Sequence, residues 1–369
     1  MSDTVAQPPI QNSADPESGL SGPPAPWRPS PPGVVARLVV LAGLLAFVLA
    51  SPTLMPGVTT NILSRVATFV IVALSLNILI GYTGQISLGH GAFLGVGGFA
   101  AGIAITNGGL PWEFAQLVAV LVGGLFALVL GLVALRVKGL YLALVTLAYG
   151  LFAQEVLFGL GPVSRGGAGM PADRPEWAMG DVAYAYVCIG AVALVWALDW
   201  RLTSSRAGRA IQALRDSENV AASWGINVTS YKLLAFVLSG MVAGLAGGLF
   251  ASIEQLVSPQ TFTLNLSLTF LFMAVLGGAG SRPGVVVAAT LLGFLSFFLD
   301  QAADQGFPVD GSAAPLLAAV LVLGVLLFVP GGLAQLLRGP IRWLSFKPFR
   351  DPRGKDDSPA SIGGGDGRP

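Results

Sequence analysis

A single cysteine, Cys188, and a single histidine, His90, are all the chain offers of the two commonest soft metal ligands. One cysteine excludes an intramolecular disulfide, and the two residues together fall short of a zinc-type ligand set. Charge is also scarce. Asp, Glu, Lys and Arg make up 11% of the chain, where a soluble domain carries roughly 25%. The 20 basic residues against 19 acidic ones leave a net charge of +1, without the basic surplus that a nucleic-acid partner demands. No GxxxxGK[ST] stretch occurs, so a phosphate-cradling loop of that kind is absent. An ATP-driven process would therefore take its motor from another polypeptide. No carboxylate pair, histidine cluster or Ser/His arrangement lies in the apolar runs, which argues against an enzyme and for a transporter or channel.

What is present is hydrophobic: 54% of the residues, with a mean hydropathy of +0.74. The sequence predicts an all-α polytopic membrane protein. Residues 1–33, rich in Pro, Ser and Gly, lack the charged-then-apolar order of a leader and read as a disordered tail. Apolar runs follow at about 34–50, 62–80, 86–106, 115–136, 140–158, 182–200, 230–253, 264–277, 284–299 and 314–330. Each is near the length that crosses roughly 30 Å of hydrocarbon, for about ten transmembrane helices. This gives a transmembrane domain over 34–333 and a charged tail over 334–369, expected to be disordered. With the tails inside, the inner connections gather Lys138, Arg201, Arg206, Arg209, Arg215, Arg282, Arg338, Arg342, Lys347 and Arg350, while the outer ones hold most of the loop acids. The excess of inner Lys and Arg predicts both termini on the cytoplasmic side. Arg65, Glu155 and Asp199 sit toward predicted span ends and no charge falls near a span's middle, which weakens an ion-coupled mechanism.

One stretch interrupts this pattern, GYTGQISLGHGAFLGVGGFAAG at 81–102. Each glycine costs a helix interior about 1 kcal/mol relative to alanine. In a membrane, glycines let backbones touch or let a helix break where protein surrounds it. Gln85, Ser87 and His90 add uncharged polar groups at that depth. The His90 ring either bonds a backbone carbonyl at a helix break or stands near a solute path. Gln85 and Ser87, and Tyr141 and Thr146 in the fifth span, either bond neighbouring helices or line that path.

The 201–229 loop carries RAGRAIQALRDSENVAASWGI, with Ala207, Ile211, Leu214 and Ala221 near one helical face. Its charges would cost on the order of 3 kcal/mol each in lipid, so the predicted helix lies outside the membrane. It ends at Gly225 and serves either as a solvated connector or as a docking helix for a cytoplasmic partner. Gly240, Gly244 and Gly248 suit a close helix crossing. LGGAGSRPG at 276–284 forms a tight turn, either a plain hairpin or part of an inner gate.

Several of these stretches together resemble the LivM-type permease subunit of branched-chain amino acid ABC importers: SLNILIGYTGQISLGHGAF (75–93), KGLYLALVTLAYG (138–150), DSENVAASWGINVTSYKLLAFVLSG (216–240), VLGGAGSRPG (275–284) and PGGL (330–333). The resemblance implies the LivM/LivH-type permease fold in a bacterial inner membrane. It also implies a second, LivH-like permease, two cytoplasmic ABC ATPases that hold the ATP and Mg, and a periplasmic or lipid-anchored solute-binding protein. No cofactor is expected on this chain. The solute implied is Leu, Ile or Val, with urea or a short amide as the alternative within the family. An ATP-independent channel or secondary transporter is the alternative outside it. The expected path or gate residues are Gln85, Ser87, Gly89, His90, Gly91, Gly95, Tyr141, Thr146, Gly277, Gly278 and Gly280. Arg206, Arg209, Arg215, Asp216, Glu218 and Gly225 are the expected ATPase-coupling residues. The loop GPVSRGGAGMP at 161–171 departs from the family at Arg165 and Met170.

Overall fold

The computed structural model describes residues 31–54, 57–134, 139–304, 313–329 and 331–344. Most of the expected N-terminal tail, the C-terminal residues from 345, Lys138 and Pro330 lie outside the described residues. Two compact units divide the chain, residues 42–342 and the two ends, 1–41 with 343–369. In the terminal unit only 31–41 and 343–344 are described, and both are helical.

Helices lie over all of the apolar runs. In chain order they are α1 (Pro31–Leu54), α2 (Gly57–Thr83), α3 (His90–Thr106), α4 (Trp112–Ala134), α5 (Leu140–Phe152), α6 (Gly161–Ser164) and α7 (Asp181–Ser204). Then come α8 (Arg206–Asp216), α9 (Glu218–Ser223), α10 (Val228–Glu254), α11 (Leu264–Gly277), α12 (Arg282–Asp304), α13 (Ala313–Phe328) and α14 (Leu333–Leu344). Among the described residues, 5 helices are long and apolar enough to cross a bilayer: Thr59–Thr83, Trp112–Val133, Leu140–Leu157, Asp181–Ser204 and Val228–Glu254. His90–Thr106, Leu264–Gly277 and Arg282–Phe298 are shorter apolar helices.

The core forms around α2, α3 and α10, with α4, α7, α11 and α12 packed on them. Glycine brings these helices close. A Cβ on Gly123 would lie 2.6 Å from the Gly240 carbonyl oxygen, and one on Gly247 would lie 2.0 Å from that of Leu94. Large apolar side chains fill the remaining space, with Phe93, Phe99, Phe158, Phe236 and Phe270 fully buried. Outward faces stay apolar: Leu117, Leu121, Leu125 and Val129 of α4 are all exposed, as a lipid- or protein-facing helix requires.

Four departures from the sequence reading have local causes. The third helix begins at His90 instead of 86, because Gly84 at φ +70° ends α2 at Thr83. The helix expected across 206–224 is two, since Ser217 is extended and its hydroxyl caps the start of α9 at the Val220 amide, 3.4 Å away. Past 333, where the folded domain was expected to end, α14 runs to Leu344. Its sequence LAQLLRGPIRWL alternates apolar and basic residues at helical spacing. A two-residue antiparallel ladder pairs Met170 with Val257 and Pro171 with Leu256, too short to leave a periodic signal.

Candidate functional site

Between α2 and α3 the backbone is irregular over 84–89, yet Gln85, Ser87 and Gly89 are buried. Buried non-helical backbone must find partners in the surrounding protein. The Gln85 amide donates to the Leu79 carbonyl at 3.1 Å. The Leu88 amide donates to Thr146 Oγ1 at 2.9 Å, and that hydroxyl donates to the Ala143 carbonyl. The Gly91 amide donates to Ser267 Oγ at 3.0 Å. Side chains from α5 and α11 thus hold the α3 end of the break, and the backbone of α2 holds the other.

His90 is fully buried at the first position of α3. Its Nε2 lies 2.9 Å from Ser239 Oγ and its Nδ1 lies 3.0 Å from Ser87 Oγ. Ser239 donates its hydroxyl proton to the Ser75 carbonyl at 2.7 Å, so it can only accept from the ring. That assigns the Nε2–H tautomer, with Nδ1 accepting from Ser87. Hydroxyls therefore hold the ring, where one of the two sequence alternatives had a backbone carbonyl. The histidine ties α3 to α10 and, through Ser239, to α2.

The glycines here are contact points. A Cβ on Gly89 would meet the Thr146 carbonyl oxygen at 2.5 Å, one on Gly91 would meet Ser267 Oγ at 2.5 Å, and one on Gly95 would meet the Phe158 ring at 2.5 Å. Two polar atoms near the break have no hydrogen-bond partner among the described residues: Gln85 Oε1 and the Tyr149 hydroxyl. Tyr149 packs on Phe93 and near Gly89. It was missed in the sequence because an aromatic in an apolar span reads as core.

The remaining expected path residues lie elsewhere. Tyr141 is 71% exposed on α5 and does not join the buried group. Gly277, Gly278 and Gly280 belong to the α11–α12 turn, at the end of the bundle that carries α8. There Gly280 and Gly81 touch: a Cβ on Gly81 would lie 2.5 Å from the Gly280 amide nitrogen.

That end holds a polar cluster whose partners the sequence did not reveal. The Gly280 amide donates to Asn77 Oδ1 at 2.8 Å, Asn77 Nδ2 donates to the Tyr82 hydroxyl at 3.2 Å, and Tyr82 donates to Asp199 Oδ2 at 2.9 Å. Arg282 Nε stands 3.7 Å from the same carboxylate oxygen. A buried acid in an apolar helix was the available signal, since such a group needs a partner.

The six expected coupling residues divide in two. Arg215 is an exposed residue whose Nη1 reaches the Gly81 carbonyl oxygen at 2.5 Å, and Glu218 forms an ion pair with the buried Lys232 of α10. Arg209 donates to the Ser204 carbonyl at 3.1 Å, and Arg206 and Asp216 are exposed. Gly225, at φ +78°, follows the end of α9. Ile211, Leu214 and Ala221 face the bundle, whereas Val220 is 57% and Trp224 82% exposed. The sequence reading overlooked that exposed apolar pair. Among the described residues no group of three or more His, Cys, Asp or Glu could hold a metal ion.

Residues 58–330 match the family described as branched-chain amino acid transport system / permease component. The chain is 30% identical over 293 residues to the high-affinity branched-chain amino acid transport system permease protein LivM of Salmonella typhimurium, covering 70% of this chain and 67% of the relative. LivM of Escherichia coli matches with the same identity and coverage. The autoinducer 2 import system permease protein LsrC of an Enterobacter species is 30% identical over 286 residues, 74% of this chain and 78% of the relative. Among solved structures, PsaBC from Streptococcus pneumoniae in complex with Fab aligns at a TM-score of 0.45 and 15% identity, over 80% of this chain and 99% of that chain.

Proposed function

The chain belongs to the family of permease components of branched-chain amino acid transport systems, and from that premise we propose that it carries Leu, Ile and Val into the cell. It is a LivM-type, multi-pass membrane permease of the ABC class. In this reading it forms the path with a second, LivH-like permease. Two cytoplasmic ATPases bind the nucleotide and Mg, and a separate solute-binding protein delivers the solute. Both termini are cytoplasmic, and the 201–229 loop faces the ATPases.

The observation that carries the reading is the buried interruption between α2 and α3, where Gln85 Oε1 accepts no hydrogen bond among the described residues. A buried orphan acceptor is costly unless something fills it during function. The ammonium group of an amino acid suits an amide oxygen. The chemistry is passage without reaction: apolar walls accept the side chain, while the break allows a helix end to shift beside the solute.

Docking follows from the loop. Val220 and Trp224 lie four residues apart on and just beyond α9, one helical turn, and both are exposed. Exposed Trp on a polar, solvent-side segment is a common anchor at protein interfaces. Arg206, Arg209 and Asp216 of the same loop are also exposed.

A second solute class is favoured by one observation, the 30% identity to LsrC, named for autoinducer 2 import. Proteoliposomes holding both permeases, the ATPases and the binding protein test the two. ATP-dependent uptake of labelled leucine, isoleucine or valine supports the proposal. Uptake of autoinducer 2 or urea alone would replace the solute, and uptake without ATPases would replace the transport class.

A further inference from the structure

We infer that Asn77, Tyr82, Asp199 and Arg282, together with Arg215, form the linkage that transmits movement of the α8–α9 loop to the interrupted α2–α3 passage. The inference rests on the docking of that loop proposed above. Four segments far apart in the chain end at this cluster: the last turns of α2 and α7, the end of α8, and the turn into α12.

The hydrogen bonds run in one direction. The Gly280 amide donates to Asn77, Asn77 to Tyr82, and Tyr82 to Asp199. Chains of this polarity reinforce one another, so breaking one member weakens the rest. Arg282 closes the chain from α12 at 3.7 Å. The turn is therefore attached to Asp199 of α7 at both of its ends, through Asn77 and Tyr82 from Gly280 and directly from Arg282.

Arg215 adds the connection to α8. The last carbonyls of a helix lack partners within it, and Arg215 supplies one for Gly81 at 2.5 Å. Gly81 lies three positions before Gly84, where the break begins. A shift of α8 therefore displaces the end of α2, the Gly280 backbone packed on it, and the start of the break. A cleft of about 550 Å³ beside Arg215, Gly278, Gly280 and Arg338 gives the turn room to move.

Stability alone does not account for the cluster. The Asp199 side chain is 1% exposed, yet its Oδ1 has no hydrogen-bond partner among the described residues. Replacing a buried charged pair by well-packed apolar residues is often neutral or stabilising. A half-satisfied carboxylate at the meeting point of four moving segments is suited to exchange partners between two states.

The test uses the fully assembled transporter with Asp199→Asn and Tyr82→Phe, and Arg65→Gln as a control. Arg65 pairs with Glu254 at the opposite end of α2. Asp199→Asn should lower the uptake obtained per ATP hydrolysed about tenfold, while the amount of assembled complex and basal hydrolysis stay within about twofold. The double variant with Tyr82→Phe should be no worse than Asp199→Asn alone, as expected within one chain. Arg65→Gln should leave the ratio unchanged. An assembled Asp199→Asn transporter with the wild-type ratio would overturn the linkage. If Asp199→Asn does not assemble, Tyr82→Phe decides in the same way. Wild-type uptake that needs no ATP would instead defeat the docking reading, a separate result.

Discussion

Gly97 of α3 and Gly244 of α10 meet backbone to backbone: a Cβ on Gly97 would lie 2.3 Å from the Gly244 carbonyl oxygen. No flexible side chain stands there to give way. Gly97→Ala is expected to destabilise the bundle by about 1–3 kcal/mol, as overpacking does. The check is a lower thermal midpoint of the detergent-purified permease. An unchanged midpoint would show that α3 and α10 can separate freely.

Gly91→Leu tests the break itself. The added side chain would strike Ser267 Oγ, which also accepts from the Gly91 amide at 3.0 Å. ATP-driven uptake should fall to background while the ATPase subunits still co-purify. Gly95→Leu, directed at Phe158 and Phe262, should act alike. Normal uptake by both would remove 81–102 from the path.

Trp224→Ala should weaken binding of the ATPase subunit roughly 30-fold, about 2 kcal/mol for an exposed aromatic anchor. Titration of purified ATPase onto the permease in nanodiscs measures it. Val220→Ala should lose less, in proportion to its smaller contact. Equal binding by both variants and wild type would shift docking to another surface.

Orientation can be read by labelling, because Cys188 is buried and should stay silent. Arg209→Cys should react with an impermeant maleimide only in inside-out vesicles, and Arg165→Cys only in right-side-out ones. The reverse pattern would invert the proposed topology.

Arg174 is buried at the other end of the bundle, 2.7 Å from Asp181 and 3.1 Å from the Ser252 carbonyl, with its guanidinium over the Tyr184 ring. Asp181 keeps solvent contact, its side chain being 41% exposed, so the loss falls on the buried hydrogen bond to Ser252 and the packing on Tyr184, and Arg174→Ala should cost about 1–2 kcal/mol. The thermal midpoint should drop while ATPase binding, at the far end, stays unchanged. A midpoint that does not move would mean that the Ser252 carbonyl and the Tyr184 ring find other partners without Arg174.

Much of the helical framework was legible along the chain, since apolar length and glycine punctuation are local signals. The run predicted at 264–277 coincides with α11, and the run at 182–200 lies within α7. Local signals also marked the break, through Gly84 and the polar residues that follow it. They failed wherever a residue's role depends on what it faces. Tyr141 and Thr146 stand five residues apart in one helix, and only Thr146 turns inward to bond the break. Arg215 and Arg209 read as equivalent coupling charges, yet Arg215 is directed at Gly81.

By itself, the order of residues determined that this chain is a helical membrane protein and where most of its helices lie, and it marked the charges within 201–229 as costly to bury in lipid. Hydrophobic periodicity and the cost of burying charge act over a few residues at a time, so a linear reading captures them. Only the tertiary structure decided that His90 is held between two serines and that Asn77, Tyr82, Asp199 and Arg282 form one cluster. Within that cluster Asn77 bonds Gly280, 203 positions away. Which polar groups meet across such distances depends on how glycine contacts bring the helices together, and that is settled only when the bundle packs.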